Sequence, residues 1–330
     1  MRKDRWNDET VTGWRQIPDI LPKAAVSGAA RAGLELRGHF RVALLTMASM
    51  KSGGSGALTI ARTYLFVPGN RPERFAKAFA AGADAIILDL EDAVPPALKH
   101  AARESVAEWL LQAPRAAVPT LLRINAVGTD WFRDDLQLCG LPSVAGVLLA
   151  KAERVEDLAT VQAKLPAGAH LLPLVETAQG FSQALNLAQS AAVQRLVFGA
   201  LDFQLDMGIP GEGEALLYFR SQLVLISRLA GLQPPVDGIN ANFNDAERLR
   251  ADTLYARGLG FGGKLLIHPR QVAVVRECYL PSAEEVDWAH RVLQAAGASL
   301  GAAVAMNGEL VDRPIIAKAE AILNQAAQRS

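Results

Sequence analysis

Two acidic residues, Glu176 and Asp202, stand where carboxylates are costly unless something positive sits between them. Each follows a short, bounded apolar run, Leu171–Val175 in one case and Leu196–Leu201 in the other. Such runs read as buried parallel strands. The stretch between them, Ala178–Ala192, is amphipathic and long enough for one crossover helix. In a strand–helix–strand unit both strand ends emerge on one edge of the sheet, which makes the two carboxylates neighbours. Carboxylates at the rim of an apolar core resist dehydration unless they are paired, and a divalent cation is the expected partner. Helix capping is the competing reading for either acid alone, because a carboxylate accepts from the free N–H groups of a first helical turn. The occurrence of two in consecutive units favours the cation.

The other strand-like runs also end in polar groups. Apolar runs at Tyr64–Val67, Ala85–Leu88, Thr120–Ile124, Gly146–Ala150, Val236–Ile239 and Lys264–Ile267 bring the total to eight. After all but the first of these six, in chain order, come Asp89-Leu90-Glu91-Asp92, Asn125 (with Arg123 inside its run), Lys151, Asn240 and His268. Complementary charges collected at strand C-termini are what a barrel active site requires. Glu91 is read either as orienting Arg123 or holding metal-bound water, or as part of a solvated acidic loop. Lys151 is read as an ion-pair partner of Glu176 or Glu91, or as a substrate contact. His268 is read as a hydrogen-bonded rim residue. Gly199 and Ala200, just before Asp202, leave room for a ligand to approach the backbone.

The elements that must position these groups follow from spacing. Helical patterns at Pro72–Ala81, Lys99–Gln112, Val155–Leu165, Ala215–Ala230 and Asp245–Gly258 separate the apolar runs. The strand spacing is close to the ~30 residues per unit of an eight-stranded barrel, so the expected fold is an α/β (β/α)8 TIM barrel over residues 61–295. A doubly wound open sheet is the runner-up; it calls for a Gly-rich phosphate turn after the first strand, and Pro68-Gly69-Asn70-Arg71-Pro72 does not match one. Residues 1–60 lack sustained periodicity and end in Lys51-Ser52-Gly53-Gly54-Ser55-Gly56, which reads as a mobile extension. Residues 296–330 read as a C-terminal extension: a hairpin-like turn over Ala305–Pro314, then a terminal helix from about Pro314, with Asp312 placed to cap it.

Bulk composition removes several function classes. The 34 basic and 34 acidic residues cancel, so no long-range field draws nucleic acid or an anionic membrane. No apolar run approaches the roughly 20 residues of a membrane span. The two cysteines, Cys139 and Cys278, have neither metal-ligand spacing nor a disulfide framework, which points to a reduced, cytoplasmic protein.

From Arg62 to about Gln325 the chain resembles the HpcH/HpaI aldolase and citrate lyase family, and within it the citrate lyase β-subunit-like CoA-ester lyases. The resemblance rests on RTYLFVPGN (62–70), ADAIILDLEDAV (83–94), LLRINAVGTDW (121–131), LPLVETAQG (172–180) and FGALDFQLDMG (198–208). It continues through LLYFRSQLVLISRLAG (216–231), GFGGKLLIHPRQV (260–272) and MNGELVDRPII (306–316). It implies Mg²⁺ held by Glu176 and Asp202, and substrate oxygens bound by Arg123, with Glu176, Gly199 and Ala200 at the substrate. It implies a terminal helical segment packing on a neighbouring subunit, usually in a homotrimer, and an acid/base Asp312 delivered to the neighbouring site. The catalytic set is then Arg123, Asp312 and Glu91. The implied reaction splits a 3-hydroxyacyl thioester of citryl, citramalyl or malyl type into an acyl-CoA and a short oxo acid. The acyl group rides on free CoA or on an acyl-carrier protein. Two alternatives stand beside it: a pyruvate aldolase acting on free hydroxy-oxo acids, and a non-catalytic acyl-thioester-binding subunit.

Overall fold

The computed structural model describes residues 60–112, 118–298, 304–306 and 309–327. The expectation of a mobile extension falls on residues that, Ile60 apart, lie outside this set. Eight strands close a parallel barrel in sequence order: β1 (Thr63–Pro68), β2 (Ala85–Asp89), β3 (Thr120–Ile124), β4 (Val144–Leu149), β5 (His170–Val175), β6 (Val197–Phe198), β7 (Val236–Asp237) and β8 (Gly263–Leu266). Closure is made by β1 against β8, with Tyr64 opposite Leu265.

The helices are α1 (Phe75–Phe79), α2 (Lys99–Gln112), α3 (Phe132–Leu138), α4 (Val155–Gln162), α5 (Ala178–Ser182) and α6 (Ala184–Ala188). They continue as α7 (Ala200–Met207), α8 (Leu217–Leu229), α9 (Ala246–Leu259), α10 (Arg270–Tyr279), α11 (Ala283–Ala298) and α12 (Arg313–Ala327). None of the described helices is long and apolar enough to cross a membrane.

Strand alternation sorts the core into two layers. Tyr64, Ile87, Leu121, Leu148, Leu172, Leu174, Val197, Val236 and Leu265 fill the barrel interior. Their neighbours Leu65, Ile86, Leu88, Leu122, Ile124, Val147 and Leu149 point outward and pack under the helices. This period of two carries to the strand ends. Counting on from Ile87, Leu121 and Leu174 puts Asp89, Arg123 and Glu176 on the inner face at the C-terminal rim. The opposite end is plugged by Arg195, a fully buried guanidinium that donates to the carbonyls of Ala61 (2.6 Å) and Pro234 (2.7 Å) and to the Tyr64 hydroxyl (3.0 Å). Among the described residues, Arg195 thus fills the end of the barrel opposite the rim that carries the charges.

Three local expectations are corrected. The apolar run Leu196–Leu201 is not one strand: β6 stops at Phe198, Gly199 breaks the extended backbone at φ −84°, ψ 71°, and Ala200 already begins α7. Asp202 thus sits in the first turn of a helix, not at a strand end. The single crossover helix expected over 178–192 is two short helices, because Gln183 leaves helical geometry at φ −100°, ψ 2°. The helix expected over Pro72–Ala81 starts as a 3-10 turn, Pro72–Arg74, and becomes α-helical only as α1. Beyond the barrel, α11 and α12 pack on each other around Ala289, Val292, Ala319 and Ile322, a small core separate from the barrel's. The hairpin expected before the terminal helix is present as β9 (Val304–Met306) paired with β10 (Glu309–Val311).

Candidate active site

Glu176, Asp202, Arg123, Gly199 and Ala200 line one cavity of about 180 Å³ at the C-terminal rim, together with Asp89. Glu176 is only 2 % exposed. Its Oε1 accepts the backbone N–H of Lys151 at 2.7 Å, and the Lys151 Nζ lies 3.9 Å away. Lys151 reaches this position with φ at 46°, a left-handed backbone that is uncommon for a residue with a side chain. The turn after β4 is bent so that its N–H meets the carboxylate. Burial pushes the Glu176 carboxyl up to about 8. Lys151 opposes that rise, and the charges of Asp202 and Glu91 add to it.

Asp202 enters the same cavity from the first turn of α7, where the helix dipole favours a negative charge. Among the described residues no side chain or backbone N–H donates to its carboxylate, nor to Glu176 Oε2. Gly199 makes room for the Glu176 side chain. A Cβ added there would lie 2.5 Å from the Glu176 Cβ and 2.6 Å from its Oε2, closer than atoms pack. Gly199→Ala is therefore expected to push the Glu176 carboxylate aside and weaken divalent-cation binding about tenfold; isothermal titration with Mg²⁺ reads this directly, and an unchanged affinity would show that the gap is not needed.

Arg123 is held more tightly than its sequence position implies. The expected fork onto substrate oxygens is already used: Nε donates to Asp89 Oδ1 at 2.7 Å and Nη2 to Asp89 Oδ2 at 2.6 Å. Nη1 lies 2.9 Å from Glu91 Oε2, and the guanidinium stacks over the Phe66 ring at 4.7 Å. A guanidinium carries five N–H donors, so one on Nη1 and one on Nη2 stay free for a ligand. Burial lowers the Arg123 pKa, but Asp89, Glu91 and Glu176 more than compensate, leaving it raised and the group permanently charged. Glu91 is 5 % exposed and bridges Arg123 to the Lys151 Nζ at 3.0 Å. Glu91 is therefore buried in contact with Arg123 and Lys151 instead of standing in a solvated loop.

Behind Glu91 lies a network that sequence reasoning missed. Lys99, 5 % exposed, spends its ammonium on the carbonyls of Leu90 (2.7 Å) and Glu91 (2.8 Å) and on Asn125 Oδ1 (2.8 Å). Asn125 Nδ2 donates to the Leu90 carbonyl and to the buried Asp135. Burial lowers the Lys99 pKa, with Glu91 and Asp89 acting against the fall. Lys99→Met is expected to leave these acceptors unpaired and cost about 3 kcal/mol of stability, measured by urea unfolding; a neutral result would mean that water replaces the ammonium. The sequence holds no local signal for Lys99, which begins a helix ten residues beyond the strand it serves. Asp89 did have one, since alternation from Ile87 puts it inside.

Asp312 and His268 do not line the cavity of their own chain. Asp312 caps α12, its Oδ1 accepting from Ile315 N at 3.4 Å. His268 accepts from Arg270 N through Nδ1 (3.1 Å) and stacks on Phe243, as expected of a rim residue.

A closed eight-stranded α/β barrel with acids and a guanidinium gathered at its C-terminal rim defines the class: a TIM-barrel enzyme with an oxygen-rich site suited to a hard cation. The family model described as HpcH/HpaI aldolase/citrate lyase matches residues 62–269, and the chain belongs to that family. It is 35 % identical over 281 residues to the citrate lyase subunit beta-like protein of Deinococcus radiodurans, covering 81 % of this chain and 97 % of that one. It is 33 % identical over 273 residues to the (3S)-malyl-CoA thioesterase of Cereibacter sphaeroides, covering 79 % and 95 %. Among solved structures it resembles the CitE protein of Mycobacterium tuberculosis in complex with magnesium, acetoacetate and coenzyme A, with a TM-score of 0.73 and 34 % identity over 82 % of this chain and 100 % of that one.

Proposed function

We propose that this protein is a Mg²⁺-dependent carbon–carbon lyase that cleaves a 3-hydroxyacyl thioester into an acyl-CoA and a short oxo acid. The observation that carries the reading is the shared cavity of Glu176, Asp202 and Arg123. The donor set fits the ion. It comprises two carboxylates: among the described residues, one oxygen of Glu176 and both oxygens of Asp202 receive no protein donor, and no group of three or more acidic, His or Cys side chains that could hold a metal occurs. Mg²⁺ is commonly bound by one or two carboxylates, the rest of its six oxygens coming from water and substrate. When bound, the ion supplies Lewis acidity to the oxygens of the oxo-acid half.

The remaining work belongs to side chains. As the carbon–carbon bond breaks, the hydroxyl oxygen gives its proton to water at the cavity mouth and becomes a carbonyl, and the bonding pair passes to the carbon beside the thioester. Arg123 directs its two free N–H groups at the oxygens where charge develops, and it is held in place beforehand by Asp89, Glu91 and Phe66. The pair left on carbon takes a proton, and the partner subunit's Asp312 supplies it. That step requires the 296–330 segment to reach a neighbouring copy, with a homotrimer as the assembly. Cys139 and Cys278 are free and buried, consistent with work in a reducing cytoplasm.

Release of an oxo acid from citryl-, citramalyl- and malyl-type thioesters, with and without Mg²⁺, tests the reading; absence of metal-dependent release from all of them would sink it. The relative named a malyl-CoA thioesterase favours a second reading, hydrolysis of the same thioester, which would release free CoA instead of acyl-CoA. Asp312→Asn isolates the proton step, because asparagine caps a helix as well as aspartate does. Turnover is expected to fall about a hundredfold or more with oxo-acid binding intact; unchanged turnover returns Asp312 to capping alone.

A further inference from the structure

We infer that a second cavity, outside the barrel wall and bounded by α8 and α9, is a binding site for a small carboxylate carrying a single negative charge. The site does not depend on the lyase reading. Its floor is Arg220, Asp237 and Lys264, and its volume is about 260 Å³. Val236 and Leu265 fill the barrel interior, so alternation turns their neighbours Asp237 and Lys264 outward, away from the cavity that holds Glu176 and Asp202. The two cavities are neighbours, with Ala200, Leu201 and Ile239 lining both.

The floor carries an unbalanced charge. Lys264 Nζ lies 2.6 Å from Asp237 Oδ2, and Arg220 Nε lies 3.1 Å from Oδ1. Asp237 and Lys264 are each 2 % exposed. Burial works against the Asp237 charge, but Lys264 and Arg220 outweigh it and hold the carboxyl below its ordinary range. Two cations therefore share one carboxylate, and one positive charge is left over, largely shielded from water. Among the described residues, Arg220 Nη1 and Nη2 meet no acceptor, and Lys264 spends only one of its three N–H groups. A buried charge of this kind calls for a partner, and the free edge of a guanidinium matches both oxygens of a carboxylate. The Phe198 ring, 5.4 Å from the guanidinium carbon, supports Arg220 from one side. The mouth limits the ligand's charge. There Arg248 stands between two acids, paired with Glu212 and 4.0 Å from Asp252. One cation against two acids repels a dianion on entry, whereas a monocarboxylate cancels the surplus at the floor.

Ligand-observed NMR on the metal-free protein, with acetate, propionate and inorganic phosphate as probes, tests the site at about pH 8, where phosphate is mainly a dianion. Acetate and propionate are expected to bind with a Kd of about 1 mM or tighter, and phosphate about tenfold more weakly. Arg220→Gln leaves Lys264 and Asp237 paired one to one and is expected to weaken both carboxylates about thirtyfold. Ala241→Trp, at an exposed loop position on the cavity lining, should block entry and abolish binding without touching the floor. Should Arg220→Gln fail to fold, Ala241→Trp decides the matter alone. Carboxylate affinity unchanged in Ala241→Trp, or in a folded Arg220→Gln, would place the ligand elsewhere, for instance at Arg123, and overturn the inference. Failure of both carboxylates to bind, or tighter binding of phosphate, would overturn it as well. None of these outcomes bears on oxo-acid release from a thioester, so the lyase reading stands or falls separately.

Discussion

Glu176→Gln is expected to abolish Mg²⁺-dependent turnover and yet to make the metal-free protein more stable at pH 8. The two effects share one cause. Glu176 is buried, and its carboxyl is pushed from an ordinary value of 4.5 to about 8, chiefly by loss of water. A carboxyl whose pKa rises on folding favours the folded state below its unfolded value and loses that advantage as pH climbs. The metal-free protein should therefore lose stability between pH 4.5 and about 8, and Mg²⁺ should restore it by supplying the missing positive charge. Glutamine keeps an oxygen for the Lys151 N–H and carries no charge to desolvate. Melting curves across this pH range, with and without Mg²⁺, should show a variant that is insensitive to both. A variant still stabilised by Mg²⁺ would mean that the ion binds elsewhere.

Arg123→Lys is expected to lose about 3 kcal/mol of transition-state stabilisation, a hundredfold or more in kcat/KM, although the charge is conserved. Only a planar guanidinium can meet both oxygens of Asp89, touch Glu91 and still hold two N–H groups toward a ligand. An ammonium has three donors on one atom and no planar fork, so it cannot meet both Asp89 oxygens side by side and still present two N–H groups to a ligand. Asp89 is 1 % exposed, so the variant also leaves a buried carboxylate short of donors, and breaking such a pair costs about 3–5 kcal/mol of stability. Steady-state kinetics alongside chemical denaturation separates the two losses. Wild-type kcat/KM in a correctly folded Arg123→Lys variant would remove the fork from the mechanism.

Much of this site was legible along the chain because strands carry their own geometry. A short bounded apolar run reads as a buried parallel strand, and the polar group that ends it then lies at the C-terminal rim. That logic brought Arg123 and Glu176 to the correct end of the barrel, and the repeat of eight such units implied its closure. The chain also placed Asp202 near Glu176, though on a strand that in fact ends at Phe198. Local hydrophobicity cannot show where pairing stops: β6 meets β7 only through Val197 and Val236, and beyond Phe198 the backbone has turned into a helix.

What closure alone decided is who holds whom. Asp89 lies 34 residues from Arg123 and grips it because β2 and β3 pair in the register that sets those two residues opposite each other. Lys99 serves loop carbonyls eight and nine residues behind it, and Lys151 presents a backbone N–H from a left-handed turn. These contacts join groups with no shared periodicity, so no pattern in one segment encodes them. Residue type and spacing determined the barrel and the chemistry available at its mouth. The folded chain determined the orientation of each charge, because hydrogen bonds fix distance and direction only after the strands have met.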